Sequence, residues 1–144
     1  MLAGLIHDSG RLVLNLLMPE RYEPIMRAIY NREGESTAIE LSALGFDHAL
    51  AGRLVLQRWN FPEELSRAVE MHHGEVSQME PLTLIVRAAD ELLWLLGCGV
   101  REATEPLQEA PAALSRLGYG LSDLAGLEER VRAAVESASE SFGI

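Results

Sequence analysis

The sequence has no lysine, and its twelve basic side chains are all arginines. Twenty-two acidic residues outnumber them and leave a formal net charge of -10 at pH 7. A surface with this excess of negative charge repels phosphate backbones, so generic binding to DNA or RNA is disfavoured. Cysteine is also nearly absent. The single thiol, Cys98, excludes an internal disulfide framework and suits a reducing compartment.

Long apolar runs are missing as well. No segment reaches the roughly 18 uninterrupted apolar residues of a membrane-spanning helix. The apolar start, residues 1–17, contains a His-Asp pair and an arginine, and it lacks the basic beginning of a secretion signal. The most hydrophobic run, residues 82–96, is interrupted by Arg87, Asp90 and Glu91. These absences predict a cytoplasmic protein without membrane association.

What is present is an ordinary globular balance, 48% apolar and 24% charged. The 144 residues fit one compact domain with its own core. Apolar residues recur at helical spacing almost everywhere, and no segment alternates as a half-buried strand does. The sequence therefore predicts an all-α, HD-domain-like bundle of about seven helices. Residues 1–97 are expected to form its core, and residues 98–144 an acidic connector and C-terminal helices that pack on the same domain.

Proline, glycine and capping residues mark the predicted helix boundaries. Predicted starts lie at Pro19, Ser36, Asp47, Pro62 and Pro81, and predicted stops at Gly45 and at residues 72–74. A turn is expected at residues 9–10, and fraying is expected over residues 137–144. Trp59 is expected to anchor the core beside the turn that follows it.

A small set of polar residues interrupts the predicted apolar faces. It holds all four histidines of the chain and consists of His7, Asp8, His48, His72, His73 and Asp90. Taken singly, each has an ordinary explanation as a hydrogen-bonded core histidine, a helix cap or a solvated aspartate. An adjacent His-Asp pair and an adjacent His-His pair in one chain are less common. Imidazole nitrogens and carboxylate oxygens suit Zn, Mn or Fe, so the set predicts a divalent-metal site.

Two stretches of the sequence resemble one known family. Residues 3–22, AGLIHDSGRLVLNLLMPERY, are similar to the His-Asp segment of HDOD domains, the HD-related output domains of bacterial signalling proteins. The resemblance continues over residues 40–73, with a Glu, then LGFDH, a Gly, an RWN-P-like element and a terminal His-His pair. It extends to Ala89-Asp90 in the next predicted helix. Residues 2–97 are covered, and the remainder matches loosely.

The resemblance implies the all-α scaffold of the HD superfamily, which includes metal-dependent phosphohydrolases and the HD-GYP phosphodiesterases of cyclic di-GMP. By position, the six polar residues would be ligands of one or more divalent ions, Fe, Mn or Zn. In a catalytic relative Asp8 would bridge the ions, and a metal-bound hydroxide would attack the phosphoester. Arg11 stands near the position of a phosphate-holding lysine in the HD-GYP relatives and could bind phosphate bidentately.

Three departures from the catalytic relatives favour a non-catalytic domain. The superfamily's usual His or Glu ligand upstream of the His-Asp pair is absent, since only six residues precede His7. The phosphate-holding lysine is replaced by arginine. After the histidine pair the chain reads GEVSQMEP, which lacks the GYP element. The chain is therefore similar to the C-terminal portion of an HDOD domain.

The sequence thus predicts a non-catalytic output domain that acts through protein partners in a signalling pathway and keeps either a metal or an ordered polar network at a degenerate HD site. The alternative is a metal-dependent phosphohydrolase that acts on a nucleotide or cyclic dinucleotide. Helices that pack on an upstream segment in relatives would expose residues such as Leu2, Leu5, Ile6 and Leu12. Because such apolar patches tend to self-associate, a homodimer is expected.

Overall fold

A computed structural model describes residues 2–95 and 110–142 of the protein. Within these residues the chain forms nine α-helices and one short 3-10 turn, and no strand. The predicted all-α fold is confirmed. The helices are α1 Leu2–Ile6, α2 Ser9–Leu17, α3 Pro19–Tyr30, α4 Ser36–Leu44, α5 His48–Arg58, α6 Glu63–Met71, α7 Pro81–Leu95, α8 Ala112–Arg116 and α9 Leu121–Phe142, and the 3-10 turn is Val76–Gln78.

The chain divides into two compact units, Met1–Asp90 and Glu91–Ile144. Helices α1 to α6 lie in the first unit, α8 and α9 lie in the second, and α7 crosses the boundary. Most of the predicted acidic connector, residues 98–109, is outside the described residues, as is Cys98. The predicted packing of the C-terminal helices on the first 97 residues stays a prediction. No helix in the described ranges is long and apolar enough to cross a bilayer.

Boundary residues act as their chemistry predicts. Pro19 occupies the first turn of α3, where its missing N–H is not needed. Gly45 ends α4 with φ of 83°, a left-handed conformation that glycine adopts without steric cost. The Asp47 carboxylate accepts a hydrogen bond at 2.9 Å from the backbone N–H of Leu50 and so caps α5. These boundaries place His48 at the first position of α5.

The predicted start of the bundle is wrong in one respect. The turn lies at His7 and Asp8, between α1 and α2, and not at the expected residues 9–10, where α2 has already begun. The reason is packing, because Gly10 has to belong to α2 for that helix to meet α5. The turn leaves both polar side chains free of the regular helical surface and directs them toward neighbouring helices.

Two further local predictions are wrong. Helix α9 continues to Phe142, whereas fraying is expected from residue 137. Trp59 is 65% exposed and is not a core anchor. It follows the last turn of α5, and the positive φ of Asn60, 56°, then redirects the chain.

The close packing of α2 on α5 builds the neighbourhood of the polar residues. A Cβ added to Gly10 would lie 1.8 Å from the carbonyl oxygen of His48 and 2.8 Å from the backbone nitrogen of Gly52. Only glycine fits at this position. The two helices share a buried apolar cluster with α3, formed by Leu14, Tyr22, Ile25, Ile29 and Ala51. The turn before α2 is thereby brought beside the start of α5.

The second unit has a buried carboxylate of its own. Glu91 of α7 accepts hydrogen bonds from the backbone N–H groups of Ala113 at 3.0 Å and Leu114 at 3.3 Å. Ala113 and Leu114 are both buried. The Glu91 side chain thus satisfies two N–H groups at the start of α8, which would otherwise lack partners in the helix.

Candidate metal centre

The six polar residues identified in the sequence come together in the first unit. They arrive from four places in the chain: the turn between α1 and α2, the first residue of α5, the segment after α6, and α7. Four of them, Asp8, His48, His72 and His73, offer ligand atoms that all lie within 4.8 Å of one another. The predicted convergence is therefore found, and metal binding by these residues stays a prediction.

The distances between donor atoms are those of a single coordination shell. Oδ1 of Asp8 lies 3.1 Å from Nε2 of His48 and 3.6 Å from Nε2 of His72. Nε2 of His48 lies 3.0 Å from Nε2 of His73. Ligands bound to one ion at about 2.0–2.2 Å lie roughly 3.0–3.5 Å from each other. An ion therefore fits between these atoms with little rearrangement.

His7 and Asp90 extend the cluster on the other side of Asp8. Nε2 of His7 lies 3.9 Å from Oδ2 of Asp8 and 3.8 Å from Oδ1 of Asp90. The ring of His7 is also 5.2 Å from the ring of His72, edge to face. The two oxygens of Asp8 thus face two different groups of donors, as a bridging carboxylate does.

Backbone carbonyl oxygens fix the orientation of two imidazoles, those of His7 and His72. Nδ1 of His7 donates to the carbonyl oxygen of Gly4 at 2.7 Å, and Nδ1 of His72 donates to that of Val69 at 2.5 Å. A carbonyl oxygen only accepts, so Nδ1 carries the proton in both rings. In the neutral rings the lone pair is then on Nε2, which is the nitrogen that faces the cluster.

Glu40 is a site residue that the sequence did not predict. Its carboxylate is completely buried in α4 and accepts hydrogen bonds from Nδ1 of His48 at 2.6 Å and from the backbone N–H of His48 at 2.9 Å. Its other oxygen accepts from the hydroxyl of Tyr22 at 2.6 Å. The residue is the Glu that opens the second stretch of the resemblance, residues 40–73, but it is absent from the predicted set of six site residues. Its polar character at a buried position of α4 was the available signal.

Arg11 joins the carboxylates of the site to each other. Its Nε lies 3.2 Å from Oδ2 of Asp8, and Nη1 lies 3.7 Å from Oε1 of Glu40. Its Nη2 donates to the hydroxyl of Ser36 at 3.2 Å. The guanidinium is thus directed toward groups of the protein. Phosphate binding by Arg11 stays a prediction.

His73 differs from the other three histidines. Its Nδ1 faces a nitrogen of Arg87, 3.4 Å away, where the others face an oxygen. Its ring packs against His72 with centroids 4.0 Å apart. A guanidinium has donors and no acceptor, so it requires the lone pair of His73 on Nδ1.

The carboxylates of the centre are held in their charged forms. Burial opposes the ionisation of Asp8, but the attraction of the neighbouring His48 and His72 imidazoles and the charge of Arg11 outweigh it and hold the pKa of Asp8 far below its usual range. Burial also opposes the ionisation of Glu40. The bond from His48 outweighs burial there and lowers the pKa of Glu40.

The pKa values of the imidazoles shift in different directions because their neighbours differ. Burial disfavours the charged form of His48, but Asp8 and Glu40 more than compensate and raise the pKa of His48. For His73, burial and the neighbouring His72 both act in the same direction and lower its pKa to about 3. His73 is therefore neutral at pH 7.

His7 differs from His73 because it pairs with a carboxylate, that of Asp90. Burial opposes charge on both, yet the attraction between the two side chains raises the pKa of His7 and lowers the pKa of Asp90. Their side chains reach solvent more than the deepest ligands do, 17% for His7 and 38% for Asp90, against 0% for His48 and His72. The cluster thus has a buried end and an end that opens to water.

Two potential metal ligands, Oδ1 of Asp8 and Nε2 of His72, lack a hydrogen-bond partner among the described residues, as do the buried Oγ of Ser9 and Nε and Nη1 of Arg11. Leaving such an atom without a partner costs about 1–3 kcal/mol. An ion would satisfy both ligand atoms at once. The nitrogen and oxygen donor set suits Zn, Mn or Fe, so the residues present fit a divalent transition metal.

Comparison with known proteins identifies a family but no individual relative. The model of the HDOD domain matches residues 1–75, more than half of the chain. This range contains all of the site residues named above except Arg87 and Asp90. No curated protein and no solved structure matches the chain.

Proposed function

The chain belongs to the HDOD family of HD-related signalling domains, and from this premise we propose that it is a metal-binding output domain. In this proposal the centre binds a divalent transition ion and regulates protein interactions, and the domain does not hydrolyse phosphoesters. The observation that carries the metal is the pair of unsatisfied buried donors, Oδ1 of Asp8 and Nε2 of His72, set at coordination distances.

The inner ligands would be the fully buried His48 and His72 and the buried Oδ1 atom of Asp8. His7 and Asp90, beside the second oxygen of Asp8, would hold a second ion or a water. A bound ion would supply Lewis acidity to whatever oxygen or nitrogen reaches its open position. The residues of the chain do the rest: the acceptors on Nδ1 orient the rings, and burial of His48 and His72 excludes water from the inner end.

The regulatory interpretation is supported by the contacts of Arg11. A phosphohydrolase needs positive charge directed at the phosphoryl oxygens. The guanidinium of Arg11 is only 14% exposed and instead contacts Asp8, Glu40 and Ser36. Its charge is thereby balanced by two carboxylates of the protein, while its Nε and Nη1 make no hydrogen bond among the described residues. The charge balance favours a centre that binds an ion without binding a phosphate.

The hydrolase remains the second candidate because one end of the centre opens to solvent. The side chains of Asp8 and Asp90 are 39% and 38% exposed, and His7 lies between them. A phosphoester of a nucleotide or cyclic dinucleotide could approach an ion from this end. Two carboxylates and an imidazole at that opening are also the groups that a hydrolytic water needs.

The proposed interaction surface lies on α1 and α2. Four leucines there are strongly exposed: Leu5 at 83%, Leu12 at 75%, Leu16 at 79% and Leu17 at 72%. Exposed apolar patches on soluble domains mark protein contacts. We infer that a second copy of the chain covers this leucine surface and forms a homodimer. A signalling partner is the alternative occupant of the same surface.

Metal analysis and a hydrolysis assay separate the two candidates. The protein is purified without chelator, its metal content is measured, and turnover of a generic phosphodiester is followed with added Zn²⁺, Mn²⁺ or Fe²⁺. The proposal expects bound metal without turnover, and loss of the metal in Asp8→Ala. The control is Glu23→Ala, which removes an exposed carboxylate that pairs with the equally exposed Arg27. Turnover that disappears in Asp8→Ala would establish the hydrolase, and absence of metal would refute both candidates.

A further inference from the structure

We propose that the divalent ion and the second copy of the chain bind cooperatively, because both require α1 to be held in a fixed position relative to α2. The proposal rests on the proposed metal centre and on the proposed homodimer through the leucine surface. It adds that occupancy of the centre regulates self-association. The two are connected by position, since Asp8, an inner ligand, lies in the turn that joins the two helices of the leucine surface.

Helix α1 is held in place by a small buried area. It is five residues long, and a helix this short is not stable by itself in water. Ala3 is the one buried residue of α1, which packs on α6. Leu2 and Leu5 are exposed. The position of α1 therefore depends strongly on the turn that follows it.

Both residues of this turn contact the metal centre. Nδ1 of His7 lies 2.7 Å from the carbonyl oxygen of Gly4, so the ring closes the C-terminal end of α1. The same ring packs edge to face on His72, with the centroids 5.2 Å apart. Oδ1 of Asp8 lies 3.1 Å from Nε2 of His48 and 3.6 Å from Nε2 of His72. The turn is thus the part of the chain through which an ion acts on α1.

An ion in the centre would restrict the movement of α1. Asp8, His48 and His72 come from three separate parts of the chain, so an ion bound to all three fixes the turn relative to α5 and to the end of α6. Because His7 directly follows α1, the helix is then held at its C-terminal end as well as at Ala3. Leu5, two residues before His7, thereby keeps a fixed position relative to the leucines of α2.

The charge of the leucine surface favours a second copy as its occupant. The chain has 22 acidic residues, and Asp8 is the only one of them within residues 2–18. Two copies that each carry a formal net charge of -10 repel each other, and an uncharged surface is where they can approach. The same leucines on both copies are self-complementary about a two-fold axis. A basic partner would gain no attraction from this surface.

Positive linkage between the ion and the second copy follows. Both bind better to the conformation in which α1 is fixed, the ion through the turn and the second copy through Leu5. Coupling of this kind is reciprocal, so an ion that strengthens dimerisation is itself bound more tightly by the dimer.

Sedimentation equilibrium of the full chain measures the dimer dissociation constant with saturating Zn²⁺ and with chelator. Zn²⁺ is expected to lower this constant by about 5- to 150-fold, the usual range of a coupling between two sites. Asp8→Asn is expected to lose this dependence, which excludes zinc ions that bridge two protein surfaces. Glu23→Gln, which alters an exposed carboxylate paired with Arg27, is the matched control and should keep it. An equal dissociation constant in both conditions would overturn the proposal.

The contributions of the two helices are separated by comparing Leu5→Ser in α1 with Leu16→Ser in α2. The two leucines are similarly exposed, 83% and 79%. Leu16→Ser is expected to weaken dimerisation in both conditions, because α2 packs closely on α5 whether or not an ion is bound. Leu5→Ser is expected to weaken it with Zn²⁺ and to leave it unchanged in chelator. An equal effect of Leu5→Ser in both conditions would show that α1 is fixed without the ion and would overturn the proposal.

Hydrogen exchange on the monomeric variant Leu12→Ser, Leu16→Ser tests the effect of the ion on α1 without dimerisation. Zn²⁺ is expected to slow exchange of the backbone amides of residues 5–8 by about 5-fold or more, because the coupling acts through α1. Asp8→Asn in the same background is the control and should show no slowing. Exchange over residues 5–8 that bound Zn²⁺ leaves unchanged would overturn the proposal.

The possible failures are distinguishable. A protein that binds no Zn²⁺ would refute the proposed metal centre. A protein that binds Zn²⁺ and stays monomeric at every concentration would refute the proposed homodimer and leave the leucine surface to a signalling partner. Both results would overturn the cooperativity as well. Zn²⁺ binding and dimerisation that occur without affecting each other would refute the cooperativity alone.

Discussion

The two sides of α2 contrast with each other. One side, with Gly10 and Leu14, is buried and leads to a cluster of charged and polar groups, while the other presents Leu12 and Leu16 to solvent. Water would favour the reverse arrangement, since burying polar groups and exposing leucines both cost free energy. The contrast matches the two parts of the proposed function, in which an ion binds on the buried side and a second copy of the chain covers the exposed side.

The largest expected effect comes from a substitution that forces α2 away from α5 on the buried side. Gly10→Val would force a side chain into the carbonyl oxygen of His48, so we expect a loss of about 3 kcal/mol or more in the free energy of unfolding, together with loss of metal binding. Urea denaturation measures it. Gly4→Ala is the control, because a Cβ there meets nothing within 4 Å. Equal stability of the two variants would show that α2 does not approach α5 this closely.

Metal addition is the next largest effect on the same side. Zn²⁺ at 100 times its dissociation constant is expected to raise the free energy of unfolding by about 2.7 kcal/mol, because it binds only the folded protein. Asp8→Asn, which keeps the shape of the side chain but weakens its oxygen as a ligand, should lose most of this gain. Denaturation with and without Zn²⁺ measures it, and an undiminished gain in Asp8→Asn would place the ion elsewhere.

The pH dependence of the metal-free protein sharpens the electrostatic description of the centre. Asp8 and Glu40 have lowered pKa values, so their stabilisation is present above the ordinary carboxylate pKa of about 4 and is lost as pH falls through the lowered values. His7 and His48 have raised pKa values, so theirs is present below about 6.5 and is lost as pH rises through the raised values.

Glu40→Gln tests the acid side of this dependence. It removes one of the three carboxylates with lowered pKa values and should reduce the slope of stability against pH by up to about 1.4 kcal/mol per pH unit on the acid side. Urea denaturation in chelator, repeated at each pH, measures the slope. A slope identical to that of the wild type would mean that Glu40 is not charged in the folded state.

The smallest expected effect on stability belongs to the leucine surface. Leu12→Ser with Leu16→Ser should change the free energy of unfolding of the monomer by no more than about 0.5 kcal/mol per site, because both side chains are already exposed. The same change should convert a dimer into a monomer by light scattering. Leu54→Ser, an exposed leucine of α5, is the control. A wild-type protein that is already monomeric would contradict the proposed self-association.

The sequence was sufficient to predict the fold class and the residues of the cluster. Helical spacing and the punctuation by Pro19, Gly45 and Asp47 predicted the first unit's helices closely, because these signals act within a few residues of the chain. The histidines and aspartates were identified because burying them without a partner is costly. Neither argument depends on knowing the three-dimensional arrangement.

The remainder depends on contacts between distant residues and could not be predicted. The start of α2 is set by the fit of Gly10 against α5, and Glu40 is buried because three residues from other helices reach it. The difference between His73 and its neighbours is set by Arg87, fourteen residues further along. Local sequence patterns carry no information on such pairings.

The most direct test of the account is an anomalous difference map from crystals of the protein grown with Zn²⁺ and measured at the zinc edge. The account predicts a peak within bonding distance of Oδ1 of Asp8, Nε2 of His48 and Nε2 of His72, with His73 still in contact with Arg87. A map without a peak among these three atoms, or with zinc bound only at the protein surface, would contradict it.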